Sequence, residues 1–150
     1  MTTQQLDFDR SQLGVDHPAG TFRVEKEAIL TYCQAIGETD PVHTDEAAAA
    51  AAGHSSLLAP PTFCAIFARG LGRPDIKLKF GRTGFHASEA MEMLAPVHAG
   101  DQLTATTRLK EVYAKTGRSG TMVFVVWETS FSNQAGEPVA NVQESHVRRE

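Results

Sequence analysis

The stretch TYCQAIGETDPVHTDEAAAAAAGHSSLLAPPTFCAIFARG, residues 31–70, decides how the rest of the chain is read. It runs from an amphipathic helix through a polar turn and a short alanine-rich helix, then a double proline opens a nearly unbroken apolar segment. Upstream, Ala28, Ile29, Tyr32, Cys33 and Ile36 recur at three- and four-residue spacing, one face of a helix that begins near Glu25. Gly37 follows where a helix C-cap belongs. The helix cannot run on through ETDPVH, because Pro41 disfavours helical geometry at Asp40. Thr44 reads as the N-cap of a second helix over 46–52, stopped by Gly53. Pro61 suits the first turn of a third helix, where its missing amide costs nothing. Phe63 to Ala68 then shows no polar face, so this helix is expected to be long, buried and covered on all sides.

Outward from that stretch the pattern changes. Residues 1–20 show little periodicity, DHPAG at 16–20 reads as a turn, and 21–24 as a short strand. The run LGRPDIKLKFGRTG (71–84) reads as a long loop or loose edge strand. Beyond it come strand signals only, over 85–94, 102–113, 121–131 and 139–147, with a shift of phase near Val112 that suggests a bulge. The segment TMVFVVWETSF (121–131), β-branched and aromatic, is the clearest strand. PVHAGD, KTGRSG and NQAGEP separate the strands with turn chemistry. Helices first and antiparallel strands last predict an α+β fold, one domain over 1–150, with an antiparallel sheet wrapped around one long buried helix.

Composition narrows the class of function. The 150 residues are 41% hydrophobic and 21% charged, ordinary for a globular domain, with a formal net charge of −4. That charge and the lack of a basic run argue against nucleic acid as a partner. The alanine run at 47–52 is too short to cross a bilayer, and the polar first residues show no signal-peptide core, so a cytoplasmic location is expected. Cys33 and Cys64 both fall in helical patterns and read as reduced, buried thiols. No cluster of histidine, cysteine and acid has ligand spacing along the chain, so neither metal nor cofactor is expected. His17, His54, His98 and His146 have no partner at meaningful spacing and read as surface residues.

One place concentrates acid and base side chains beside a rigid proline: Glu38, Asp40 and His43. The segments AIGETDPVHTDEAAAAAAG and LLAPPTF together resemble the MaoC-like dehydratases, and HASEAMEMLAPVHAGDQL (86–103) is similar to the same group's strand and turn. These are hot-dog-fold (R)-specific enoyl-CoA hydratases and 3-hydroxyacyl dehydratases, and the similarity runs from Thr21 to Arg148. It implies a hot-dog fold and the motif G-D-x-N-P-x-H, whose Asp and His hold and activate a water. Gly37, Pro41, Val42 and His43 match that motif; the acid position is Glu38 and the Asn position is Asp40. Histidine titrates where general acid–base chemistry needs it. Glu38 reaches further than Asp by about one C–C bond, about 1.5 Å, so either Glu38 or Asp40 serves as the acid. Equally, the turn reads as solvated Asx chemistry with no catalytic use.

The resemblance also implies a backbone N–H at the start of the buried helix, facing a thioester oxygen that gains negative charge. Here that position falls at Pro60-Pro61, and proline has no N–H, which leaves Thr62 or Phe63 as donors. His86, at the start of a strand beside Phe85, is a further candidate for the substrate cleft, or else a surface strand end. Arg69, Arg73, Lys77, Lys79 and Arg82 form the densest basic stretch available to a CoA moiety, or a solvated loop. The expected activity is hydration or dehydration at the α,β bond of an acyl thioester, in a homodimer or paired with another hot-dog chain. Two alternatives stand beside it: a non-catalytic acyl-binding subunit of a heteromeric dehydratase, and a hot-dog acyl-CoA thioesterase.

Overall fold

A computed structural model describes residues 5–150. Five strands form one antiparallel sheet in the order β1-β3-β4-β5-β2. They are β1 (Asp16–Arg23), β2 (Thr83–Met93), β3 (Gln102–Gly117), β4 (Gly120–Ser132) and β5 (Pro138–Arg149). The apolar 121–131 run becomes the central strand β4, paired on both sides along nearly its whole length. Leu103, Ala105, Thr107 and Leu109 of β3 alternate inward, the last three opposite Phe131, Thr129 and Trp127 of β4. The helices are α1 (Lys26–Ile36), α2 (Glu46–Ala51) and α3 (Ala65–Ala68). This is the α+β hot-dog architecture expected, and no helix among the described residues is long and apolar enough to cross a membrane.

The segment inside the sheet is shorter than expected. From Pro60 to Phe67 its bonds are mostly of the tight i→i+3 kind, Phe63 to Pro60, Ala65 to Thr62 and Ile66 to Phe63, and the α-helical part is only Ala65–Ala68. Gly70, at φ 75°, turns the chain out of helix, and Gly72 and Pro74 prevent its return. Nor is the segment covered on all sides: Phe63, Cys64 and Ala68 are buried, whereas Ile66 is 38% exposed. Phe63 and Phe131, both fully buried, anchor the core with Ile29, Leu57, Leu103 and Val142. Each such side chain contributes about 1.5–3 kcal/mol by leaving water.

A helix this short does not cover the whole sheet, and the 71–82 stretch covers a second part of it. This coil lays Ile76 and Leu78 with Phe8 against Leu109, Val123, Val125 and Trp127 as a second core. Backbone bonds from Asp9 to Ile76 and from Lys79 to Asp7 tie the strap to the chain's beginning. Other boundaries also move. The expected 16–20 turn lies inside β1, where Pro18 is tolerated because β1 is an edge strand with a bulge between Pro18 and Gly20. Asp45 rather than Thr44 caps α2, its Oδ1 accepting from the Ala47 amide at 2.8 Å. The β3 bulge falls between Leu109 and Glu111. Cys33 and Cys64 are buried free thiols, as expected.

Candidate functional site

The helix α1 ends where Gly37 adopts φ 72° and its amide closes on the Cys33 carbonyl. This left-handed cap throws the chain sideways into the acid-rich turn. Each residue there fixes the next: Glu38 Oε1 accepts from the Asp40 amide at 2.9 Å, and Asp40 Oδ1 accepts from the Val42 amide at 3.1 Å. Pro41–His43 forms a single 3-10 turn. The Val42 carbonyl accepts from the Leu58 amide, and the Ala59 amide donates to Val97. The turn is thereby stitched to the segment before the double proline, and that segment to the β2–β3 connection.

His43 is 7% exposed, and its Nδ1 lies 2.6 Å from the Leu58 carbonyl oxygen. A carbonyl only accepts, so Nδ1 carries the hydrogen and donates it. That fixes the tautomer and leaves Nε2 as the open nitrogen of the neutral ring. The ring lines a cavity of about 480 Å³, whose walls include Asp40, Leu58, Pro61, Met93 and Pro96. Apart from Asp40 and His43 the lining is apolar, and the volume suits a small-molecule group. A pinned base, a carboxylate and a greasy pocket together can hold and polarise a water against an apolar substrate.

The structure separates the residues singled out from the sequence. Asp40 and His43 line one cavity; Glu38, half-buried, does not line it and caps the turn instead. Pro61 is a wall residue, whereas Pro60 is buried behind it. The Phe63 amide is bonded to the Pro60 carbonyl, and its ring packs edge-on against Tyr32 at 5.6 Å. Thr62 is exposed and its hydroxyl shares a 2.6 Å hydrogen bond with Tyr32; among the described residues its amide has no partner.

His86 does not reach the His43 cavity. It lines a different one, of about 470 Å³, with Arg73, Trp127 and His146. The surface reading of His54, His98 and His146 also fails: His54 Nδ1 lies 2.9 Å from His98 Nε2, and Arg73 Nη1 donates to His146 Nε2 at 3.0 Å. These pairs join residues 44 and 73 positions apart, so local spacing carried no signal of them. The Met93–Val97 wall was likewise hidden; the Leu58 carbonyl is main chain, which a motif of side chains never displays.

Comparison with known proteins agrees with this fold. A family model described as FAS1-like, dehydratase domain region, matches residues 11–142. A UPF0336 protein of Streptomyces griseus subsp. griseus is 34% identical over 118 residues, covering 75% of this chain and 78% of that protein. The fold superposes with TM-score 0.75 on the C-terminally truncated HadBC (3R-hydroxyacyl-ACP dehydratase) complex of Mycobacterium tuberculosis, at 22% identity over 93% of this chain and 98% of that one. It superposes with TM-score 0.74 on a MaoC-like dehydratase, at 23% identity over 93% of this chain and 42% of that one. The chain therefore belongs to the FAS1-like dehydratase-region family and is built as a MaoC-like hot dog.

Proposed function

We propose that this protein adds water to, or removes it from, the α,β bond of an acyl thioester, with His43 as the base and Asp40 as its acid partner. The observation that carries this reading is the His43 ring: buried, held at Nδ1 by Leu58, and lining the same cavity as Asp40. In the hydration direction His43 Nε2 takes one proton from a water whose other hydrogen is held by Asp40. The water oxygen bonds to Cβ, and the π electrons move to the thioester oxygen as an enolate. The Thr62 amide, without a partner among the described residues, is the donor assigned to that oxygen, since Pro60 and Pro61 have none and the Phe63 amide is engaged. The imidazolium then returns its proton to Cα. No external oxidant or cofactor enters this balance.

The cavity wall at Met93 and Leu94 is the exit of β2, an edge strand exposed from Thr83 to Ala90. Such an edge is a template for pairing with another strand, and Phe85 on it and Leu94 just past its end are each 47% exposed. We assign this edge to a second hot-dog chain, identical or different. A second reading, the acyl-binding subunit whose partner performs the chemistry, is favoured by one observation: a double proline stands where the oxyanion donor is needed.

The test is loss of enoyl absorbance with crotonyl-CoA and the purified chain. Hydration that vanishes in His43→Ala supports the leading reading. Turnover only after a second hot-dog chain is added supports the subunit reading. Release of free CoA with no hydration supports the thioesterase and overturns both.

A further inference from the structure

Strands β2 and β5 pair so that Glu89 stands directly across from Glu144, and His86 across from His146. Carboxylates facing each other across a strand pair repel. Arg73, from the strap, answers half of that repulsion: its Nη2 holds Glu144 Oε1 while its Nη1 donates to His146 Nε2. His146 is thereby occupied. The second Glu144 oxygen is turned the other way, 3.3 Å from His86 Nε2, and Glu89 Oε2 lies 3.8 Å from the same nitrogen. Among the described residues Arg73 is the one guanidinium that bonds either carboxylate, and it leaves Glu144 Oε2 and Glu89 to His86.

The backbone is also arranged for it. His86 and Glu89 are three residues apart and would face opposite sides of a regular strand. A bulge between His86 and Ser88 restores them to one face, and bulges re-aim side chains in this way. One ring nitrogen and one oxygen from each of Glu89 and Glu144 then lie within 4.8 Å of one another. Glu144 is 3% exposed and fixed by Arg73, whereas Glu89 and His86 are 22% and 41% exposed. One wall of the group is rigid and the other is free to close. A cavity of about 390 Å³, lined by Arg69, Arg73, His86, Glu144 and His146, opens beside the group, with Glu89 at its edge rather than in its wall.

We infer that His86, Glu89 and Glu144 bind a divalent first-row transition cation, for which zinc is the closest match. One imidazole nitrogen and two carboxylate oxygens are a donor set that zinc accepts at about 2.0–2.2 Å, which places neighbouring donors about 3.3 Å apart. The His86–Glu144 separation already has that value, and Glu89, 3.8 Å from the same nitrogen and partly exposed, closes on the other two by side-chain rotation. Arg73 is the positioning residue, aiming the Glu144 carboxylate as hydrogen-bonded outer groups do around metal ligands. The ion bridges the edge strand to β5. The site is independent of the His43 reading: Met93 lies seven steps along β2 from His86, about 23 Å at strand rise.

The test is titration of the full chain, stripped with chelator, with zinc chloride in a calorimeter. One equivalent is expected to bind saturably, and His86→Ala and Glu89→Gln each weaken it at least about tenfold. Both residues are partly exposed, and circular dichroism checks that the variants remain folded. His98→Ala, which dismantles the only other histidine pair among the described residues, is expected to leave binding unchanged. Cobalt titration adds a second readout, a visible absorption band present in the wild type and absent from His86→Ala. Failure to saturate, wild-type binding by either ligand variant, or loss in His98→Ala overturns the assignment.

Discussion

Replacing His43 by asparagine separates what the ring does for the fold from what it does for chemistry. The asparagine side-chain amide reaches about where Nδ1 stands, so it still donates to the Leu58 carbonyl, but nothing replaces Nε2. General acid–base assistance is worth about 10²–10⁴ in rate, equivalent to about 3–5.5 kcal/mol of barrier. His43→Asn is therefore expected to lose about 10²–10⁴ of kcat in the crotonyl-CoA assay with its melting temperature nearly unchanged. His43→Ala loses the same activity and also strands the Leu58 carbonyl in a site that is 7% exposed at the ring. An unsatisfied buried acceptor costs about 1–3 kcal/mol. At about 2–4 °C per kcal/mol for a domain of this size, a mid-range 2 kcal/mol lowers the melting temperature by about 4–8 °C. Both variants are compared by scanning calorimetry and steady-state kinetics. An asparagine variant within tenfold of wild-type kcat would refute the role of Nε2, and equal melting temperatures for the two variants would refute the tautomer argument.

Three further outcomes are expected from the buried ion pair, the His146 ring and the strap. Arg73→Met leaves the buried Glu144 carboxylate without its partner, an expected loss of about 3 kcal/mol by urea denaturation, and Arg73→Met/Glu144→Leu recovers most of it. Burial first, then the nearby Arg73 charge, holds the His146 imidazole below its ordinary value of 6.5. The unfolded chain therefore binds that proton more readily, so stability falls as pH drops below about 6.5, and His146→Gln flattens the dependence in melts at pH 5–7.5. Gly81→Ala would drive a Cβ into the Arg149 backbone carbonyl, at a φ of +57° that L residues rarely adopt. About 2–3 kcal/mol of destabilisation is expected from the forced shift of strap against β5, and an unchanged urea midpoint would show that this contact is soft.

Local rules in the sequence predetermined a good deal. Gly37 had to cap α1 because only glycine enters the left-handed region freely, and Pro41 had to end helical geometry at Asp40. The alternating β-branched run at 121–131 became the central strand because a pleated, buried position suits those side chains. The motif around His43 was readable for the same reason: its residues are neighbours along the chain, and the turn that assembles them is local. Even so, the choice between Glu38 and Asp40 was not readable, since it depends on which carboxylate a distant wall at Met93 and Pro96 encloses.

Tertiary structure alone decided the rest. The central segment looked like a long helix because its side chains are apolar, but apolarity reports burial and not length. The strap that covers the remaining sheet is recognisable only when Ile76 and Leu78 meet Phe8 and Trp127. Arg73, His86, Glu89, Glu144 and His146 lie on a coil and two antiparallel strands, up to 73 residues apart. Strand register and a single bulge bring them together, and register is a property of paired strands that neither strand specifies by itself.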